Sequence, residues 1–233
     1  MPQRERQEDK GLQHATVKTG EVAQAASIGL DRRNTEKART MKTLIVLSHP
    51  LEDSLNAHFA QTAKAKAEAL GHEVQFLDLY RAGFDPRLTA EERQGYYETA
   101  FEDATGLQEV EALVLVFPTW WFGLPAMLKG WIDRRFLPGV AYDHDPALKA
   151  LSPRLHNLKQ VLAVTTLGSP AWIDWLILRR PVGRALKWGL IKACAPKARF
   201  TLLSLYKAEA VTQPRADAFV ARIERALEKW KDQ

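Results

Sequence analysis

The sequence has a single cysteine, Cys194, and no Phe, Trp or Tyr among its first forty residues. One thiol excludes an internal disulfide and fits a reducing cytoplasm better than a secretory route. The stretch from Pro2 to Lys10 is polar and lacks the apolar core of a signal peptide, so export is not expected. The longest uncharged run, Ala112 to Leu128, is interrupted by Pro118, Gly123 and Pro125. It falls short of the roughly 20 residues that a spanning helix requires. Neither Gly-x-Gly-x-x-Gly nor Gly-Lys-Ser/Thr occurs, which disfavours a classical dinucleotide fingerprint and a nucleoside-triphosphate loop. No zinc-finger or aromatic RNA-binding pattern points to nucleic acid. His144, between Asp143 and Asp145, and His156 have no partners at metal-ligand spacing, so no metal site is expected. Acid is scarce in one region: between Leu151 and Phe200, Asp174 stands alone against nine basic residues. Such a local field attracts anions, whether a phosphorylated cofactor, an acidic partner or an anionic membrane.

Against these absences stands a chain of 233 residues, 46% hydrophobic, enough for one substantial core. Residues 1–40 mix charges without an apolar period and are expected to be a disordered extension before a single domain over 41–233. Thr43-Leu44-Ile45-Val46-Leu47-Ser48 reads as a fully buried first strand, followed by a helix from about Ser54 to Leu70 that Gly71 ends. Further strands are expected at about Glu73–Tyr80, Val110–Phe117, Gln160–Thr166 and Arg199–Leu205. Helices are expected at about Pro125–Arg135 and Pro214–Lys231, and Thr89-x-x-Glu92 reads as a capping box. Strands apolar on both faces, alternating with helices, specify an α/β fold, a doubly wound parallel five-stranded sheet in three αβα layers.

In such a sheet ligands bind beyond the carboxyl ends of the strands, where strand order reverses. Three loops leave such ends. The first runs from His49 through Ser54-Leu55-Asn56 into a helix whose free amides, with hydroxyl and amide donors, suit a phosphate; a plain N-cap is the alternative. The second, Pro118-Thr119-Trp120-Trp121-Phe122-Gly123-Leu124-Pro125, sets three adjacent aromatics between prolines. They cannot all point inward, and they make a flat wall for an aromatic ring system unless one or two pack beneath the next helix. The third, Thr165-Thr166-Leu167-Gly168-Ser169-Pro170, offers small residues and free amides, either as a cradle for the polar edge of a ring or as an ordinary tight turn.

The order of an apolar strand ending in His49-Pro50, then Ser54-Leu55-Asn56, then Pro118 through Trp131, then Gly139-Val140-Ala141-Tyr142, resembles the flavodoxin-like NAD(P)H:quinone oxidoreductases. That family includes ancillary flavoproteins of potassium efflux systems, and the resemblance covers about residues 41–205. It implies a noncovalent FMN or FAD reduced by NAD(P)H, with His49, Ser54, Leu55 and Asn56 on the phosphate side. It implies further that Pro118, Thr119, Trp120, Trp121 and Phe122, with Thr165, Thr166, Leu167 and Gly168, hold the isoalloxazine. A homodimer is implied too, with Val140, Ala141 and Tyr142 of a second copy lining the substrate cavity. Members usually carry Gly-Gly after the two threonines and a Tyr and a His further along; here Leu167-Gly168 follows, and residues 169–198 contain neither. No catalytic acid or base is assigned, because the hydride chemistry belongs to the cofactor.

The resemblance leaves two roles open: an enzyme passing two electrons to a quinone-like acceptor, or a regulatory flavoprotein bound to a membrane transporter. An electron-transfer flavodoxin is disfavoured, since those proteins are typically shorter and acidic whereas this chain has a net charge of +5. The stretch from Ala171 to Lys192 is aromatic and aliphatic, then basic. It reads either as an interfacial lid approaching a membrane or as a helix facing a second subunit with solvated arginines.

Overall fold

In the computed structural model the described residues are 40–97, 102–145 and 150–230. The expected disordered extension, residues 1–40, lies outside them but for its last residue. The strands are β1 (Lys42–Leu47), β2 (Glu73–Asp78), β3 (Ala112–Pro118), β4 (Tyr142–Asp145), β5 (Ala150–Pro153), β6 (Gln160–Leu167) and β7 (Arg199–Tyr206). The helices are α1 (Leu55–Ala69), α2 (Ala90–Gln94), α3 (Ala126–Arg135), α4 (Pro181–Arg184), α5 (Lys192–Cys194) and α6 (Gln213–Glu228).

Five strands pair in parallel in the order β2-β1-β3-β6-β7, the doubly wound sheet expected from the alternation of elements. β3 and β6 are buried at every position because helices cover both faces. β2 and β7 depart from the expectation of strands apolar on both faces: they lie at the edges, and exposed residues alternate with half-buried ones at their starts. One core layer joins Phe59, Ala60 and Ala63 of α1 to Phe219, Ile223 and Leu227 of α6. The last three recur every fourth residue, so one stripe of α6 faces the sheet, each side chain contributing about 1.5–3 kcal/mol on burial. The opposite layer packs Leu128 and Trp131 of α3 with Val182, Leu186 and Ile191. Gly130 lies so close to Pro86 that a Cβ would stand 2.2 Å from its carbonyl oxygen, which fixes α3 against the loop after β2.

Local signals act where the sequence places them. The Ser54 hydroxyl accepts from the Ala57 amide at 3.1 Å and caps α1, and Gly71 leaves that helix at φ +84°. Thr89 and Glu92 form the reciprocal capping box of α2. Two features differ from expectation. β4 and β5 form a separate antiparallel hairpin that no apolar period announces. The stretch after Ala171 is also not one helix: wide-turn helical segments at Ile173–Ile177 and Ala185–Ile191 are separated by Arg179 and Arg180, both in the left-handed region. His72 at the end of α1 is buried rather than solvated, with Nδ1 2.8 Å from the Thr43 hydroxyl and its ring stacked on Trp230.

Candidate functional site

Strand order reverses between β1 and β3, so the loops leaving their carboxyl ends diverge and open a crevice. A cleft of about 470 Å³ lies there, within the range of small-molecule sites. It is lined by His49, Pro118, Thr119, Trp120, Trp121, Thr166, Leu167, Gly168, Ala208 and Glu209. All three candidate loops therefore converge on one cavity. A fourth loop, after β7, adds Ala208 and Glu209, which sequence reasoning missed although it is another strand end on the same side.

The aromatic loop is built under strain. Trp121 (φ 48°) and Phe122 (φ 56°) occupy the left-handed region in succession, the φ signs of a type I′ turn, for which Asn-Gly is the usual sequence. Such positions cost bulky residues about 1–3 kcal/mol each and persist only where the surroundings impose them. The turn is held by reciprocal backbone bonds between Trp120 and Gly123, at 3.3 and 2.9 Å. It leaves Trp121 fully exposed and Trp120 45% exposed, with the His49 ring 6.4 Å from Trp120. Among the described residues the amides of Trp121 and Phe122 have no partner.

The floor is rigid. The Thr119 amide donates to the Thr166 carbonyl at 2.8 Å, the Thr119 and Thr165 hydroxyls lie 2.7 Å apart, and Asn56 Nδ2 donates to Thr166 Oγ1 at 3.0 Å. Asn56 and Thr165 are buried and, with Ser54, Leu55 and Phe122, do not line the cleft; they brace the elements that do. Ser54 is occupied as the cap of α1, while the Leu55 and Asn56 amides remain without partners among the described residues. His49 Nδ1 lies 3.1 Å from the Leu51 amide and 3.3 Å from the Leu51 carbonyl, which holds the ring against its own loop. Arg81 pins this loop through the Pro50 carbonyl and the Glu52 carboxylate, both at 2.7 Å. A Cβ on Gly168 would sit 3.0 Å from Glu209 Oε1, so the small residue lets the carboxylate approach the loop.

Three buried polar atoms at these strand and helix ends, Ser48 Oγ, Asn56 Oδ1 and Ser169 Oγ, have no partner among the described residues. Each such atom costs about 1–3 kcal/mol if it stays unpaired; none of the three residues lines the cleft itself. An aromatic wall, unpartnered amides and a helix N-terminus fit a flavin: rings for the ring, donors for its heteroatoms, a positive dipole end for its phosphate.

Val140, Ala141 and Tyr142, which the resemblance implies line the cavity of a second copy, are not among the residues lining this chain's own cleft. Val140 and Ala141 are buried in the core beneath β4, and only Tyr142 keeps part of its surface open. Burial, then a hydrogen bond with Tyr96, raises the Tyr142 phenol above its ordinary pKa. Facing the end of β7, Asp174 is buried and accepts the Tyr206 hydroxyl at 2.7 Å, and Trp175 Nε1 donates to that same hydroxyl at 2.9 Å. Burial and then the Asp174 bond raise the Tyr206 phenol.

A family model described as a flavodoxin-like fold, Flavodoxin_2, matches residues 41–233. The chain belongs to this flavodoxin-like family. Among curated relatives of this flavodoxin-like chain, an uncharacterized NAD(P)H oxidoreductase, YcaK, of Escherichia coli K12 is 40% identical over 105 residues. That match covers 42% of this chain and 54% of the relative. NAD(P)H dehydrogenase [quinone] 1 of Cavia porcellus is 32% identical over 154 residues, 57% of this chain and 55% of the relative. The chain thus spans about half the length of the curated relatives it matches. The crystal structure of Smu.1420 from Streptococcus mutans UA159 covers 81% of this chain and 100% of its own at TM-score 0.70 and 28% identity. An NAD(P)H:quinone oxidoreductase from Methanothermobacter marburgensis shares the fold at TM-score 0.63 and 21% identity, over 83% of this chain and 98% of its own.

Proposed function

We propose that this protein binds FMN or FAD noncovalently and oxidises NAD(P)H, passing two electrons to a quinone or similar aromatic acceptor. The observation that carries the proposal is the strained Trp121–Phe122 turn, which fixes exposed rings and unpartnered amides at the mouth of the switch-point cleft. The oxidoreductase names of the curated relatives support the same reading over a regulatory subunit.

The flavin supplies the hydride chemistry when bound. The chain's own residues orient and polarise. Trp120 and Trp121 would offer the wall against which a ring stacks, and the unpartnered Trp121 amide would be free to donate to its acceptor atoms. Preorganised amides of this kind stabilise negative charge without reorganising, so no acid or base side chain is required. The Leu55 and Asn56 amides at the start of α1 would suit a phosphate, and the Glu209 carboxylate, which lines the cleft, could accept from hydroxyls of the bound cofactor. In a homodimer, Tyr142 is the member of the 140–142 stretch with surface left for a second copy. A cytoplasmic setting agrees with the lone Cys194, whose thiol burial pushes up to about 11.

The visible absorption spectrum of the purified protein, followed by anaerobic addition of NADPH or NADH, tests the proposal. The expected result is a yellow protein that bleaches within seconds and recovers its colour with a quinone. A protein that stays colourless after incubation with excess FMN and FAD refutes it.

A further inference from the structure

The face formed by residues 172–188 plays no part in the cleft and has a chemistry of its own. Its tip is apolar and outward: Leu176 is 74% exposed, Ile177 63%, and Trp172 and Trp175 more than half. Behind the tip lies a second cavity of about 330 Å³, whose walls carry Arg179, Arg180, Arg184 and Lys187, with Trp188 63% exposed at its rim. No carboxylate lines this cavity, and none of these four cations has a salt-bridge partner among the described residues. Asp174, the lone acid of residues 151–200, is buried and committed to Tyr206.

The arrangement is shaped, not incidental. Arg179 and Arg180 both take positive φ, and the Arg180 amide donates to the Asp174 carbonyl at 2.7 Å. The Arg180 guanidinium lies 4.4 Å from the centre of the Trp175 ring. The sharp reversal sets cations directly behind the apolar tip, and Pro181 starts α4 immediately after it. A second copy docked symmetrically here would bring two such cationic cavities into one interface with no carboxylate from either to pair them, which is unfavourable. A surface that is anionic on the outside and apolar just beneath matches both halves: basic groups at headgroup depth, tryptophans at the interface, Leu176 and Ile177 below.

We infer that the 172–188 face docks the protein on an anionic phospholipid surface, the Arg179–Lys187 cavity taking headgroup phosphates and the Leu176–Ile177 tip entering the acyl boundary. No membrane-spanning segment is involved; no helix among the described residues is long and apolar enough to cross a bilayer. The docking is peripheral, and it does not depend on the flavin reading.

Flotation of the full-length protein with phosphatidylcholine vesicles, with and without about one third phosphatidylglycerol, tests this. The expected result is binding to the anionic vesicles only, falling at least about tenfold as salt rises from about 0.1 M to 1 M. Leu176→Gln/Ile177→Gln and, separately, Arg179→Gln/Arg184→Gln/Lys187→Gln are each expected to lower vesicle partitioning about tenfold or more. Quenching of tryptophan fluorescence by brominated anionic lipids reads the same docking in the unmodified protein, independent of how any variant folds. Absence of binding to anionic vesicles at low salt overturns the inference. So does binding that both variants retain, which would place the contact elsewhere on the chain. Conversion of a dimer to monomers by Leu176→Gln/Ile177→Gln would assign the face to a second copy. Retention on immobilised polyglutamate by the same cations, without vesicle binding, would assign it to an acidic protein; either outcome overturns the membrane role.

Discussion

Two turns in this molecule use the same backbone device for different surfaces. Trp121-Phe122 and Arg179-Arg180 are each a pair of consecutive non-glycine residues in the left-handed region; the first follows the end of β3, the second the helical segment Ile173–Ile177. The first is held locally, by the bridge between Trp120 and Gly123. The second is held from a distance, through Asp174 and its bond to Tyr206 on β7. A turn closed by its own flanking residues depends on few outside contacts, which suits a wall that must meet a rigid ring. A turn anchored through another strand is only as firm as that contact, and so links the cationic face to the edge of the sheet. Strain of this kind is informative because nothing in the local sequence favours it.

The largest effect is expected from Trp121→Asn/Phe122→Gly, which keeps the turn and removes both rings and strain. Flavin affinity should fall at least about tenfold while the melting temperature rises by several degrees, measured by fluorescence titration and thermal denaturation. Unchanged flavin affinity would separate the turn from the site. Asp174→Asn should come next, destabilising the protein by about 1 kcal/mol in a denaturant titration, because the Asn oxygen still accepts from Tyr206 but without the carboxylate charge. In the same variant the Tyr206 phenol should titrate lower than in the parent, since a neighbouring carboxylate opposes its ionisation. Arg179→Gly should stabilise by about 1 kcal/mol by relieving its positive φ. Arg180→Gly should gain less, because it also removes the cation over the Trp175 ring. The smallest response is expected at Cys194, away from both turns. With its thiol held up to about 11 by burial, it should resist aromatic disulfide reagents at mildly alkaline pH until the protein unfolds.

Much of the scaffold is legible in the residues themselves. β1, β3 and β6 announce themselves as uninterrupted apolar runs because helices cover both their faces, and Ser54, Gly71 and the Thr89–Glu92 pair mark helix ends through chemistry local to a few residues. The hairpin of β4 and β5 is hidden because Tyr142-Asp143-His144-Asp145 carries no apolar alternation; its pairing comes from tertiary placement. At the site, the aromatic loop stands out by composition, but its left-handed backbone does not, since Trp and Phe rarely adopt it. Asn56 looks like a ligand donor in sequence, yet its amide is used to tie α1 to β6. Glu209 is invisible for the opposite reason: a carboxylate on a surface loop acquires meaning only when Gly168 of another strand end comes within reach.

The parallel pairing of the sheet also has a kinetic consequence. Each of its strand pairs joins segments far apart in the chain, as when Thr43 meets Ala112 and Gln160 meets Arg199. Topologies of this sort close large loops before any contact repays the lost entropy, and they fold slowly for their size. Because the cleft draws on the ends of β1, β3, β6 and β7, its lining is incomplete until the last of these strands has docked. Capture of a ligand there would therefore report the final step of assembly and draw the partly assembled chain toward completion.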